Sequence, residues 1–438
     1  PARLRAPRVR RRPPPPRARP PRGPRGRGPP RGGPPRSHFV SSFGRRRPAL
    51  RRWRTRWGAF APRRGDRENR REAQQERARA LLRACHEHWQ KVQEAAEAAQ
   101  PRRLVAEMRE PPAATHPAPE RPTPITVVAT DGSQIYPDRH LEPPFFLLNV
   151  SQVAFQYGTT EEAHLDATPS LHFREPLADR FGEPLDTIPA ELVSALRDEQ
   201  ELRRLLDAAT TARVSGRPLV ALADGTLIRW MIRGMDNDAL EGTLIARYTQ
   251  FLDGFRETGL ALASYVSLPA STEIVNLLRF VGGDLAAVPP DLPTRAPDAP
   301  RLDGLLDRHV LALVLGPGER SAVFGSASHI QAEYPTGTDI AFFYLRVPGP
   351  GGGELGRVEV PRWVADDPAL LDRVHATVLH ECQKGKGYPL ALSEAHEQAV
   401  VRASEREAFY RLMERRLRRA GLGPTGSQKR RSKQRPRV

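Results

Sequence analysis

Apolar residues in the middle of the chain fall into short runs that alternate with segments of helical spacing. Runs bounded by turn residues predict buried strands, and apolar residues three and four apart predict amphipathic helices. The predicted strands are 125–130, 145–157, 219–223, 260–267, 309–315, 321–324, 339–347 and 357–364. The predicted helices are 66–100, 190–209, 240–256, 271–280, 367–383 and 390–419, and 168–189 is predicted to be loop. Because helices and strands alternate without a repeat, the predicted class is α/β with a mixed sheet.

Composition divides the chain into five segments. Residues 1–65, with 22 Arg and no acidic residue, and the basic tail 421–438 contain few apolar residues and are predicted to be disordered. The first of these is either an arginine-rich arm that binds phosphates or, as we favour, a stretch of GC-rich DNA read in an unintended frame, because the chain begins at Pro without Met. Between the ends lie an amphipathic helical region (66–110), a Pro/Ala linker (111–124) and the main domain (125–420).

The formal net charge of +18 suggests a nucleic-acid partner, but the charge is unevenly distributed. Residues 66–424 contain 41 basic and 51 acidic residues, so the positive excess lies at the two ends. A DNA channel in the folded part would therefore depend on local clusters of basic residues. The two cysteines, Cys85 and Cys382, lack the CxxC spacing of a structural zinc site. This cysteine usage, with no apolar run long enough for a membrane span or signal peptide, predicts a soluble cytoplasmic protein without a membrane partner.

One local pattern occurs twice: an apolar run followed by Asp-Gly and a hydroxyl residue. Thr-Val-Val-Ala-Thr precedes Asp-Gly-Ser at 131–133, and Leu-Val-Ala-Leu-Ala precedes Asp-Gly-Thr at 224–226. Each carboxylate then follows a buried strand, and Gly permits a close approach of backbone or ligand. A single Asp-Gly is most often only a turn, in which Gly adopts positive φ. Two copies after matching runs suggest a pocket for a divalent metal, provided that the strands are neighbours.

A site for two divalent ions, which clamp the attacking and leaving oxygens of a phosphodiester, requires at least one more acid. The helix before the second strand offers several, of which Glu201 is favoured because Arg197, four residues earlier, can pair with it; Glu199 is the alternative. Farther on, Tyr388 and His396 lie eight positions apart around the start of the last helix. His396 can protonate a leaving oxygen or bind metal, whereas the simpler interpretation is a surface histidine and a packing tyrosine.

Other common motifs are absent: the sequence contains no Walker lysine loop, GxGxxG or GxSxG, which excludes the commonest nucleotide-binding and hydrolase classes. Five segments carry a more specific pattern: Asp131-Gly-Ser-Gln-Ile-Tyr-Pro-Asp-Arg-His140, Ala223-Asp-Gly-Thr-Leu-Ile228, Ser264-Tyr-Val-Ser267 with Val275-Asn-Leu-Leu-Arg279, Pro317-Gly-Glu-Arg-Ser321, and Gly387-Tyr-Pro-Leu390 with Glu394-Ala-His396. In this order, from Ile125 to Arg419, they resemble the NurA nuclease family.

The resemblance implies an RNase H-like mixed β-sheet flanked by helices in the main domain, with the N-terminal helical region as an extension. It implies a metal-dependent nuclease that hydrolyses phosphodiester bonds of DNA with Mn²⁺ or Mg²⁺, two ions in the site, as a single-strand endonuclease and 5′ to 3′ exonuclease. It further implies a homodimer that works with a hexameric HerA-type ATPase in resecting DNA double-strand breaks.

Matched residue by residue, the family's metal-binding aspartates correspond to Asp131 and Asp224, and its late Tyr and His to Tyr388 and His396. With the helical glutamate, the predicted catalytic residues are Asp131, Glu201, Asp224, Tyr388 and His396, and all of these except Tyr388 are predicted to bind metal. The predicted DNA contacts are Ser133, Arg279 and Arg320.

Two positions depart from the family pattern, since Thr226 stands where Ser is usual and Leu268 stands where a basic residue is common. The first change keeps a hydroxyl, whereas the second puts a phosphate contact at that point in doubt.

Two other functions fit the same sequence. A catalytically inactive DNA-end adaptor of the ATPase is favoured if Asp131 and Asp224 lie on strands that are not adjacent, and disfavoured if they converge with Glu201. An RNase H-like nuclease acting on RNA or hybrid substrates, or one of guide-dependent Argonaute type, would be distinguished by substrate assays, because a contact to the 2′-hydroxyl cannot be read from one sequence.

Overall fold

The central feature of the fold is a mixed β-sheet. The computed structural model describes residues 62–101, 103–138, 142–182, 187–233, 235, 237–283 and 301–421. The ends predicted to be disordered lie outside these ranges except for 62–65 and 421. From Gly65 onward the described residues belong to one compact unit.

The sheet has the order β1-β9-β10-β11-β7-β6-β3-β4-β5, with β8 beside β10 and β2 beside β8. Its strands are β1 (Glu107–Met108), β2 (Thr115–His116), β3 (Ile125–Ile135), β4 (Phe145–Tyr157), β5 (His164–Phe173), β6 (Leu219–Asp224), β7 (Ala261–Val266), β8 (Arg320–Ser321), β9 (Phe324–Gly325), β10 (Ile340–Val347) and β11 (Glu354–Pro361). The strands β3, β6 and β7 are parallel to one another, whereas β4 and β11 pair with them antiparallel on either side.

Helices cover both faces of this sheet. They are α1 (Pro62–Glu87), α2 (Trp89–Ala99), α3 (Arg174–Phe181), α4 (Ala190–Thr211), α5 (Asp238–Thr258), α6 (Glu273–Val281), α7 (Asp307–Leu311), α8 (Arg362–Ala365), α9 (Pro368–Lys384), α10 (Leu390–Ala399) and α11 (Ala403–Arg419). In the described ranges no helix has both the length and the apolar composition needed to cross a membrane.

The parallel strands are buried on both faces, as their continuous apolar runs require. Val128 and Ala221 pack against α4 and α5 on one face, and Val127 and Val220 pack against α9 and α10 on the other. A third cluster joins α1, α2 and α6 to β9 and β10. The predicted mixed sheet flanked by helices is thereby confirmed.

Several predicted elements were wrong. The run 309–315, predicted as a strand, begins as α7, because a short apolar run does not distinguish a buried strand from a buried helix. The predicted loop 168–189 contains the end of β5 and all of α3. As the edge strand, β5 pairs with β4 on one side and tolerates Pro169 and exposed side chains, so it shows no clear alternation.

The predicted helix 390–419 is divided into α10 and α11. Val400 is extended, with φ −60° and ψ 122°. The carbonyl of Ala399, left without a partner by the break, accepts hydrogen bonds from Ser133 Oγ at 2.5 Å and Asn149 Nδ2 at 2.9 Å. Contacts with distant strands, which leave no local signal, therefore end this helix.

Two short strands lie where the sequence predicts none. Glu107–Met108 belongs to the predicted helical region and pairs with β9, and Thr115–His116 belongs to the predicted linker and pairs with β8. Strands of two residues are too short to show a periodic pattern.

Candidate active site

Two carboxylates follow the point where β3 and β6 cease to pair; Asp224 ends β6 as expected, whereas Asp131 lies within β3, which continues to Ile135 in pairing with β4. These strands pair in parallel, with Thr130 opposite Ala223, so that Asp131 and Asp224 each follow a paired residue at the same end of the sheet. The condition set by the sequence, that the two Asp-Gly segments lie on adjacent strands, is met.

A third carboxylate, that of Glu201, comes from α4. The hydroxyl of Thr130 donates to the main-chain oxygen of Glu201 at 3.1 Å, which ties this turn of the helix to β3. The Glu201 side chain then lies against Gly132, where any Cβ atom would overlap its Oε1. Gly132, which lies within β3 rather than in a left-handed turn, therefore leaves room for the Glu201 carboxylate, which a Cβ atom would displace.

The structure places Glu201, and not Glu199, against Gly132, the residue after Asp131. Glu199 is buried elsewhere on α4, where it pairs with Arg180 at 2.8 Å and Arg247 at 2.7 Å. Arg197 Nε lies 3.0 Å from Glu201 Oε1, which confirms the predicted pair four residues apart.

The last two predicted residues reach the same place from the other face. His396 Nδ1 lies 2.7 Å from Asp131 Oδ2, and the Tyr388 hydroxyl donates to Asp224 Oδ1 at 2.6 Å. The start of α10, which carries His396, is held by the Ala391 amide donating to Glu381 Oε2 at 2.8 Å. The predicted catalytic side chains thus lie beside the two Asp-Gly segments as a group of two hydrogen-bonded pairs, with Glu201 against Gly132.

Burial and mutual repulsion determine the electrostatics of this group. Burial raises the pKa of Glu201 to about 8, with further contributions from the negative charges of Asp198 and Asp131 and opposition from Arg197. Burial also raises the pKa of Asp224, against the lowering effect of the Tyr388 hydrogen bond. Carboxylates held together at this cost to the charged form are typical of functional sites.

The chemistry of these side chains fits a divalent cation. Carboxylate oxygens are the ligands that hard cations such as Mn²⁺ and Mg²⁺ prefer. Glu201 Oε1 is buried and accepts no hydrogen bond, although it lies near the Arg197 guanidinium. Within the described ranges no three Asp, Glu, His or Cys side chains are already arranged as a ligand set. In this structure Asp131 and Asp224 instead accept hydrogen bonds from His396 and Tyr388.

The three predicted DNA contacts do not join the group as donors to a phosphate. Ser133 donates to the main-chain oxygen of Ala399 and so holds the end of α10. Arg279 is 8% exposed and donates to Asn276 and to the Leu302 carbonyl. Arg320 is 6% exposed, beside Glu110. The burial of both guanidinium groups does not support the predicted phosphate contacts.

Sequence reasoning missed the residues of β4 that hold α10, the helix that carries His396, in place. The Ser151 hydroxyl donates to the Ala395 carbonyl at 2.6 Å, one turn of α10 before the Asn149 contact with Ala399. Polar residues in the middle of an otherwise apolar strand such as β4 were the available signal.

Most of the main domain, including the candidate site, matches a known protein family. The model of the NurA domain matches residues 125–401. The fold is similar to a crystal structure of the NurA nuclease from Sulfolobus solfataricus (15% identity, TM-score 0.46), with 70% of this chain and 88% of that chain covered. It is also similar to a crystal structure of NurA with manganese (12%, TM-score 0.38, 68% and 89% covered) and to the catalytic domain of human endonuclease V (12%, TM-score 0.30, 70% and 92% covered). No curated protein sequence matches the chain.

Proposed function

The chain belongs to the NurA nuclease family, enzymes that hydrolyse phosphodiester bonds, and we propose that it is a deoxyribonuclease dependent on divalent metal. The observation that supports this proposal is the adjacency of Asp131 and Asp224 on the paired strands β3 and β6, with Glu201 against Gly132, the residue after Asp131. This arrangement disfavours the inactive adaptor, which has no need to hold carboxylates near one another against burial and repulsion.

Asp131, Glu201 and Asp224 would hold Mn²⁺ or Mg²⁺, two ions in the complete site, with His396 as a further ligand or as an acid. When bound, such ions supply charge neutralisation at the phosphate and lower the pKa of an attacking water. Tyr388 orients the Asp224 carboxylate through its hydrogen bond, and Arg197 balances the charge of Glu201.

His396 has the geometry of a proton donor to the leaving oxygen. Its Nδ1 faces Asp131, which fixes the ring and leaves Nε2 directed away from that carboxylate. The side chain is 62% exposed, so a DNA strand can reach Nε2 without displacing protein groups. We assign to it the transfer of one proton to the departing 3′ or 5′ oxygen.

The finer activity follows from the family rather than from the geometry. We propose single-strand endonuclease and 5′ to 3′ exonuclease activity, a homodimeric state, and action with a HerA-type ATPase in end resection at DNA double-strand breaks. The family assignment over 125–401 supports all of these.

The test is a cleavage assay on single- and double-stranded DNA labelled at either end, with RNA and hybrid duplexes in parallel, in Mn²⁺, Mg²⁺ or EDTA. We expect metal-dependent cleavage of DNA, lost with EDTA and reduced at least about 10³-fold in Asp224→Asn. Asp207→Asn, on the exposed side of α4, is the matched control and should cleave normally. Cleavage that persists in EDTA or in Asp224→Asn would contradict the metal mechanism, and cleavage of RNA or hybrid alone would replace the substrate.

A further inference from the structure

A buried group of charges lies behind the second Asp-Gly segment, two strands away from it. Glu359 is on β11, opposite Ser264 of β7, while Tyr265 of β7 is opposite Asp224 at the end of β6. The Glu359 side chain is 2% exposed and reaches across β7 to the loop that follows Asp224.

Both donors that Glu359 Oε2 meets belong to this loop. The Thr226 hydroxyl and the Leu227 amide each donate to it at 2.8 Å. Thr226 Oγ1 in turn accepts from the Ile228 amide at 3.0 Å, so one carboxylate oxygen fixes three successive residues. The only side-chain oxygen of the loop itself is thus committed to the anchor.

The other oxygen of Glu359 is fixed by a buried arginine. Arg357 Nε donates to Glu359 Oε1 at 2.8 Å, and Arg357 Nη1 donates to Glu273 Oε1 at 2.8 Å. The guanidinium lies 3.6 Å from the centre of the Phe342 ring. The Glu359 carboxylate is therefore paired and cannot swing away from the loop without leaving a buried charge uncompensated.

A buried ion-pair group of this kind contributes little net stability compared with apolar residues of similar size. Its position behind a carboxylate of the candidate site points to a role in geometry. The turn after Asp224 has no regular structure of its own, because Gly225 adopts φ 72° and β6 ends there. The Gly225 amide donates to the Tyr265 carbonyl at 3.1 Å, and beyond it the direction of the loop depends on the anchor at Thr226 and Leu227, which thereby bears on the aim of the Asp224 carboxylate.

We propose that Glu359 is a positioning residue of the nuclease, which aims Asp224 at the metal by anchoring the loop at 226–227. This inference rests on the proposed function. Thr226, the position that departs from the family's serine, is here a required hydroxyl donor, and serine satisfies the same contact.

The test measures Mn²⁺ affinity by calorimetry, together with the Mn²⁺ concentration for half-maximal DNA cleavage and the melting temperature. We expect Glu359→Gln to weaken Mn²⁺ binding about tenfold, as outer-shell changes do, because an amide cannot accept from Arg357 and from the loop at once. Thr226→Val should also weaken Mn²⁺ binding, whereas Thr226→Ser, which keeps the hydroxyl, should bind Mn²⁺ as the wild type does. The matched control is Asp307→Asn, another buried carboxylate, whose Oδ1 accepts from the Val275 amide on α6 rather than from the site loop.

The outcomes separate the two proposals. If Glu359→Gln and Thr226→Val lower the melting temperature but shift Mn²⁺ affinity no more than Asp307→Asn does, the positioning role is overturned. Should Glu359→Gln fail to fold, the Thr226→Val and Thr226→Ser pair decides the matter alone. A wild-type protein that binds Mn²⁺ but cleaves no DNA would overturn the proposed function and leave the positioning role standing. A wild-type protein that binds neither Mn²⁺ nor Mg²⁺ would overturn both.

Discussion

The two Asp-Gly segments follow one sequence pattern, an apolar run before Asp-Gly and a hydroxyl residue, and differ in structure. At the first, β3 continues through Gly132 to Ile135 in pairing with β4, and the missing side chain makes room for Glu201. At the second, β6 ends at Asp224, and Gly225 turns the chain with φ 72° in open space, where a Cβ atom would meet nothing within 4 Å.

The dipeptide Asp-Gly therefore meets two different physical requirements in this fold. The first Gly permits close approach of a helix, and the second permits a backbone conformation. The carboxylates also differ in their partners, since Asp131 pairs with the imidazole of His396 and Asp224 with the hydroxyl of Tyr388. Substitutions made in parallel at the two segments should therefore have unequal effects.

The largest difference in cleavage rate is expected between variants of His396, the partner of Asp131, and Tyr388, the partner of Asp224. His396→Ala should lower the cleavage rate about 10³-fold, because it removes the proposed proton donor, whereas Tyr388→Phe should lower it about tenfold by releasing one hydrogen bond. Single-turnover rates at saturating Mn²⁺ measure both, and His164→Ala on β5 is the control. Equal losses at the two positions would mean that the segments are equivalent.

Substituting alanine for each of the two glycines separates the effect of steric room at Gly132 from the effect of positive φ at Gly225. Gly132→Ala should displace Glu201 and lower activity about 100-fold, as a shift of about 1 Å at a site does. Gly225→Ala should instead cost about 1–2 kcal/mol of unfolding free energy for its positive φ and leave activity within about threefold. Denaturant unfolding and cleavage rates on the same samples give both numbers. A Gly132→Ala protein with full activity would show that Glu201 is not held where the structure places it.

Glu201, the acid that lies against the first segment, should make the stability of the protein depend on pH. The pKa of Glu201 is about 8 in the folded protein against a usual 4.5, so the stabilising protonated form is complete below pH 4.5 and is lost as the pH rises through about 8. Metal-free Glu201→Gln should therefore be more stable than wild type by about 1–2 kcal/mol at pH 9 and nearly equal to it at pH 5. Asp224→Asn should show the same sign. A difference that does not change with pH would contradict this account.

The smallest effects concern the hydroxyl residues. Ser133→Ala should cost about 1 kcal/mol of stability by freeing the Ala399 carbonyl, with DNA affinity unchanged, whereas Thr226→Ser should stay within about 0.5 kcal/mol of wild type. Chemical denaturation and DNA titration provide the measurements. A loss of DNA affinity without a loss of stability in Ser133→Ala would restore the phosphate contact expected from the sequence.

Long apolar runs and local spacing were enough to predict the strands β3, β4, β6, β7, β10 and β11, the helices α4, α5 and α9, and the adjacency of the strands that carry Asp131 and Asp224. The pair between Arg197 and Glu201 was also predictable, because it depends on four residues of helix. What could not be predicted depends on distant contacts: the break after Ala399, made by strands β3 and β4, and the burial of Arg279 and Arg320. A motif shows that a basic residue is present but not which way it faces.

The contact between His396 and Asp131 joins residues 265 positions apart in the chain. A ribosome therefore completes both Asp-Gly segments long before it adds the helix that supplies the imidazole. That helix is held by hydrogen bonds from Ser151 and Asn149, which lie on β4 and are synthesised much earlier. During synthesis the growing chain therefore contains Asp131 and Asp224 before His396 is added. If cleavage requires His396, the enzyme becomes active only when nearly all of the folded part has left the ribosome.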